Sequence, residues 1–105
     1  DLRTEPLSPI TLVTRVEIGT TDTEITVYYE LFTDETLTGG SDLISLELWY
    51  DQGIGNWVSL HGSSPFFTLD NSYTVELLQP GQNYQFKYRG VNIFGGGAFS
   101  AESTI

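Results

Sequence analysis

A Pro-Gly pair set between two alternating runs constrains this chain more than any other feature. The run Tyr73-Thr74-Val75-Glu76-Leu77-Leu78 stops at Gln79-Pro80-Gly81-Gln82-Asn83, and the run Tyr84-Gln85-Phe86-Lys87-Tyr88 follows. Alternation with a period of two marks a half-buried strand. Pro presets φ for one turn position and Gly takes the φ that other residues avoid, so the pair is a turn signal with a mechanism. Tyr84 opens the second run, where its hydroxyl can turn back to the upstream backbone. Leu78, Pro80, Gly81 and Tyr84 are expected to make a corner, with Leu78 in the core and Tyr84 as the clasp.

The rest of the chain supplies the partners for these strands. Residues 10–16 carry Ile10, Leu12, Val13 and Val16, an alternation that slips once and suggests a bulged edge strand. Gly19-Thr20-Thr21-Asp22 reads as a turn. Residues 24–31 form a clear strand with Ile25, Val27, Tyr29 and Leu31 on one face. A polar loop with Gly39-Gly40 at its tip leads to residues 44–51. There Ile44, Leu46, Leu48 and Tyr50 face one way and Ser45, Glu47, Trp49 and Asp51 the other. Gly53-Ile54-Gly55-Asn56 is a hairpin-type turn, and residues 56–60 pair back. Phe66-Phe67, in a loop-rich stretch, is expected to dip into the edge of the core. After the strand that Tyr84 opens come a glycine-rich loop, residues 92–97, and a closing strand, residues 98–105. No stretch holds helical periodicity over a helix-length window. Seven short strands spaced by turn signals indicate a sandwich or barrel. A Tyr that clasps such a strand start is the tyrosine corner of Greek-key sandwiches.

At 105 residues the chain is one domain, long enough for a single core without staples. It has no Cys, hence no disulfide and no thiolate chemistry. The formal net charge of −10 argues against nucleic acid, whose phosphates call for a basic patch, and against an anionic membrane surface. The acids are scattered, which is the pattern of a folded, soluble surface. No apolar run approaches the length of a membrane span, so no membrane insertion is expected.

Candidate chemistry is sparse. Gly95-Gly96-Gly97 precedes a strand, not a helix, and lacks a following Lys-Ser or Lys-Thr, so it reads as a turn rather than a phosphate cradle. His61 is the only His and reads as an exposed loop residue; with no second His, neither a zinc site nor a His-based triad is expected. Asp34, Glu35 and Asp42 share a loop, with Asp51 and Asp70 elsewhere, and no EF-hand pattern is present. No catalytic residue, cofactor or metal ligand is therefore assigned. Trp49 is the best surface candidate. By alternation it points outward beside Glu47, and Lys87 and Arg89 point outward from a strand expected next to it. This is either a structural cation–π pair or an anchor for a partner, with Trp57 extending the patch.

In their order these residues resemble the fibronectin type III family over about residues 6–105, with residues 1–5 as a linker. Pro6, Pro9 and Leu12 are similar to the family's first strand, Ile25-Thr26-Val27-Tyr28-Tyr29 to its second and Ile44-Ser45-Leu46-Glu47-Leu48-Trp49-Tyr50-Asp51 to its third. The stretch from Tyr73 to Tyr84 resembles its most specific segment, and Phe86, Gly90, Asn92, Gly95, Gly97 and Ser100 fall at later marks. The resemblance implies an all-β, seven-stranded, immunoglobulin-like Greek-key sandwich. The first, second and fifth strands would form one sheet and the third, fourth, sixth and seventh the other. Leu12, Ile25, Val27, Tyr29, Leu46, Leu48, Val75, Leu78, Tyr84 and Phe86 would form the core. Tyr29 stands where the family usually has Trp, Gly90 where it has Ala and Tyr88 where Val is common. A volume exchange is expected, with Tyr29 and Gly90 leaving room for Tyr88.

The resemblance further implies a repeat-type, non-catalytic module of a larger cell-surface or secreted protein, monomeric in isolation and tandem in its parent chain. It would space domains or bind other proteins, in the manner of cell-adhesion modules. The alternative is an accessory ligand- or carbohydrate-binding domain of a secreted enzyme. The Arg-Gly-Asp of the family's adhesive members is missing from residues 92–97, so integrin binding by that route is not expected.

Overall fold

A computed structural model describes residues 4–16, 23–76 and 78–104. The Gly19–Asp22 turn, Leu77, the first three residues of the expected linker and Ile105 lie outside the described residues.

Among the described residues nine short elements follow one another: β1 (Thr14–Val16), β2 (Ile25–Tyr28), a single helical turn α1 (Glu35–Thr38), β3 (Ser45–Tyr50), β4 (Val58–His61), β5 (Ser72–Val75), β6 (Gln85–Asn92), β7 (Gly95–Gly96) and β8 (Ser103–Thr104). All strand pairs are antiparallel. One sheet has the order β1-β2-β5, and the other β4-β3-β6-β7 with β8 also on β6. This is the expected sandwich with one difference in strand count. The closing strand is split, because residues 97–102 follow β6 through single bonds rather than a ladder. Gly97 donates to the Gly90 carbonyl at 3.0 Å and Ser100 to that of Tyr88 at 2.7 Å.

The core lies between the sheets. β2 and β5 contribute Ile25, Val27 and Val75, and β3 and β6 contribute Leu46, Leu48, Phe86 and Tyr88. Tyr29, Leu43, Leu78 and Tyr84 close it at the strand ends. Where two strands pair in register, alternation places side chains by simple geometry. Beyond the paired residues it does not. β2 ends at Tyr28, so Leu31 lies past the strand and is exposed. β1 begins only at Thr14 and pairs with β2 in regular register, so the slip at residues 12–13 is not a bulge. Leu12, expected in the core, is 43% exposed, and Val13 at 1% takes the inward place. The irregular register falls instead between Leu48 and Trp49 on the β3–β4 pair. Phe66 and Phe67, expected at the core edge, are 80% and 45% exposed. Ile44 also faces solvent.

The corner has a definite geometry. The Gln79 amide donates to the Tyr84 hydroxyl at 2.8 Å, and Leu78 donates to the Thr23 carbonyl at 2.9 Å. Gly81 has φ +77°, a region that a residue with a Cβ rarely adopts. Leu78 and Tyr84 are buried beneath it.

At the other pole, buried Asn92 ties three segments together. Its side-chain amide donates to the Thr4 carbonyl at 2.6 Å and the Thr38 carbonyl at 2.9 Å, and its side-chain oxygen accepts the Phe94 amide at 2.8 Å. The glycine-rich stretch is therefore a β6–β7 hairpin rather than an open loop.

Candidate functional site

The outward face of β3 and β6 holds Trp49, Lys87 and Arg89 of the expected partner surface, and Trp57 stands just before β4. Glu47 pairs in register with Arg89, and Trp49 with Lys87. The antiparallel register thus alternates an acid–base pair with an aromatic–base pair along one strip. Glu47 Oε1 accepts hydrogen bonds from Trp49 Nε1 at 2.9 Å and Arg89 Nε at 3.1 Å, and forms an ion pair with a terminal guanidinium nitrogen at 3.0 Å. Glu47 is only 6% exposed, so the guanidinium is its partner in a largely buried ion pair.

The cation–π contacts differ from the expected pair. Trp49 gives its ring edge to Phe99, with centroids 5.6 Å apart at 79°. Lys87 Nζ lies 4.2 Å from the Trp57 ring centre and 4.4 Å from that of Phe99, and the Arg89 guanidinium carbon 4.8 Å from Phe99. Phe99 is thus the hub of the strip, and it escaped the sequence reading. A signal was available: Ser100 marks an inward position, which turns its neighbour Phe99 outward. Trp49 and Trp57 are half-buried. Phe94 stands past the C-terminal end of β6, in the β6–β7 turn, apart from this strip. The Trp57 face that Lys87 covers is not available to stack on a sugar ring.

The remaining polar groups of interest are also engaged. His61 is the last residue of β4, not a loop residue. Its ring stacks on Tyr73 of β5 at 4.9 Å, and its Nε2 lies 3.0 Å from Asp70 Oδ2. It bridges the edges of the two sheets. Hydrogen bonds from His61 first, and Thr68 second, hold the exposed Asp70 carboxyl below its usual range. Asp51, buried, accepts the amides of Gly53 at 2.8 Å and Gln85 at 3.0 Å and so fixes the β3–β4 turn. Buried Ser45 donates to the Gly62 carbonyl at 2.6 Å and accepts the Thr68 amide at 3.1 Å. A Cβ at residue 62 would lie 1.9 Å from the Leu46 carbonyl oxygen, so glycine is required there. Among the described residues no three His, Cys, Asp or Glu side chains gather where they could hold a metal ion.

Tyr29 and Tyr88 do meet in the core, with ring centroids 5.5 Å apart. The Tyr88 hydroxyl donates to the Glu30 carbonyl at 2.9 Å and bonds the Thr11 hydroxyl at 2.8 Å. The space above Gly90 is not filled by Tyr88, as the volume exchange required, but by Phe32 and Leu43.

Two packed antiparallel sheets joined by a clasped corner define an immunoglobulin-like Greek-key sandwich. The comparison with solved structures narrows this to the fibronectin type III fold. A fourth fibronectin type III domain from a human protein has a TM-score of 0.77 at 16% identity, over 96% of this chain and 78% of that one. The sixth such domain of human fibronectin type III domain containing protein 3 gives 0.73 at 19%, over 97% and 85%. Titin kinase with its flanking domains gives 0.72 at 18%, over 97% of this chain but 17% of that one, so here the match is to one module of a much longer protein. At these identities the likeness is one of fold. No protein-family model matches the sequence, and no curated protein matches it.

Proposed function

We propose that this chain is a non-catalytic module of a larger cell-surface or secreted protein, set in line with neighbouring domains and engaging other proteins. The observation that carries the reading is that the segments around Thr4 and Thr104 are held at opposite ends of β6. Thr4 is bonded to Asn92 at one end of that strand, and Thr104 pairs with Gln85 at the other. At about 3.4 Å per residue those points lie roughly 24 Å apart. A preceding and a following domain would thus leave from opposite poles, which is the geometry of a head-to-tail array.

Two further points support a contact role over catalysis. Two acid–base pairs, Glu47 with Arg89 and Asp70 with His61, are engaged in holding neighbouring segments together. The exposed apolar side chains Leu7, Ile10, Leu31 and Leu69 are more than a pure spacer needs. The Trp49–Arg89 strip serves stability in this reading, since its rings and charges face one another. The net charge of −10 keeps copies apart in solution.

Small-angle scattering on two copies joined in tandem tests the arrangement. The expected particle is about twice as long as one copy and no thicker. A compact, side-by-side particle overturns it.

A further inference from the structure

Two hollows of about 270 Å³ each open beside the segment that follows β2. Leu31, Phe32 and Thr33 belong to the walls of both, so they stand as a ridge between them. Ile10 and Leu37 line the first, and Leu43 and Leu69 the second. Leu31, Ile10 and Leu69 are 36%, 82% and 44% exposed.

The floor is fixed by β6. Gly90 has no side chain, and a Cβ there would lie 2.7 Å from Phe32 Cζ and 2.9 Å from Leu43 Cδ2. The missing methyl lets both side chains settle onto the strand and leaves the space above them concave. A small-molecule site usually encloses about 300–1,000 Å³ in one cavity. Two smaller hollows parted by a ridge suit two side chains of one extended peptide, spaced i and i+2.

The rim is acidic. Glu30 and Asp34 lie on the first hollow and Asp42 on the second. Arg15, Lys87 and Arg89 are the cations among the described residues, and none lines either hollow. In a chain of net charge −10, this rim favours a cationic partner and disfavours a second copy of the chain.

We propose that this pair of hollows docks an extended peptide segment of another protein, with two aliphatic side chains one residue apart in the hollows and Lys or Arg flanking them against Glu30, Asp34 and Asp42. The inference rests on the reading of the chain as an interaction module. Its failure would leave the in-line arrangement standing, because tandem scattering tests that separately.

The test is a nitrogen-15 NMR titration of the full chain with the capped peptide Lys-Leu-Thr-Leu-Lys. Saturating shifts confined to Ile10, Thr11, residues 30–43 and Leu69 are expected. Binding should weaken at least fivefold for Lys-Ser-Thr-Ser-Lys, for Glu-Leu-Thr-Leu-Glu, and for the Asp42→Lys and Leu69→Ser variants, whose exposed positions leave the fold intact. Equal shifts with the Ser peptide would reduce the effect to charge attraction and overturn the proposal. So would an absence of shifts, or shifts that track self-association in sedimentation.

Discussion

Phe32 occupies the space that a side chain at residue 90 would need: its Cζ lies 2.7 Å from the position of a Cβ on Gly90. Leu43 closes the same space from the other side at 2.9 Å. Gly90→Ala should therefore destabilise the domain by about 1–3 kcal/mol, the usual range for overpacking. Phe32→Leu shortens the ring tip, so in that background the added methyl should cost less than half as much. Urea denaturation of the four proteins in the cycle gives the coupling. Additive costs would show that Phe32 does not set the requirement.

Tyr84 clasps the corner through one bond, the Gln79 amide donating to its hydroxyl. Tyr84→Phe keeps the ring, which stacks on Tyr50 at 6.3 Å, and removes only that acceptor. The expected loss is about 0.5–1.5 kcal/mol. An unchanged unfolding midpoint would mean that the amide finds water as easily as it finds Tyr84.

The corner could be read in the sequence because it depends on local chemistry: a Pro-Gly turn, a Tyr five residues after the amide it accepts, and alternation on both sides. The same alternation placed Leu46, Leu48 and Phe86 inward and Trp49, Lys87 and Arg89 outward, since all six lie in the long β3–β6 ladder. It failed where no ladder runs. Leu12, Phe66 and Phe67 lie outside the strands, and there the side chain follows the tertiary path of the backbone rather than a two-residue repeat. Gly90 marks a different limit. Its lack of a side chain is plain in the sequence, but the residues that exploit it, Phe32 and Leu43, come from a loop whose path only the fold determines. Both hollows of the proposed docking site depend on that loop.

Along the outward strip, the two cations should contribute unequally. Arg89 holds the buried Glu47 carboxylate, whereas Lys87 lies over the rings of Trp57 and Phe99. Arg89→Ala leaves a buried acceptor short of its charged donor and should cost about 1.5–3 kcal/mol. Lys87→Ala forfeits a cation–π contact worth about 0.5–1 kcal/mol at a partly exposed site. Glu47→Gln in the Arg89→Ala background should recover part of the loss, because the stranded charge is gone. Equal midpoints for the two single variants would contradict this division.

Tyr29 and Tyr88 share the core, yet among the described residues only Tyr88 has hydrogen-bond partners for its hydroxyl. Tyr88 bonds Glu30 and Thr11, while the buried Tyr29 hydroxyl meets none of the described residues. Tyr88→Phe should lower stability by about 0.5–1.5 kcal/mol. Tyr29→Phe removes a desolvated, unpaired hydroxyl and should leave stability unchanged or raise it by about 1 kcal/mol. Burial holds both phenols above their ordinary value, with the Asp70 charge adding to the effect at Tyr29. The folded state then keeps these protons more tightly than the unfolded chain does. Their contribution is whole below about pH 10, the ordinary phenol value, and is lost as the pH rises past it. Urea midpoints followed upward from pH 8 should fall above pH 10, and less steeply in Tyr29→Phe and Tyr88→Phe than in the wild type. Parallel declines in all three would show that neither buried phenol governs the alkaline limit of the fold.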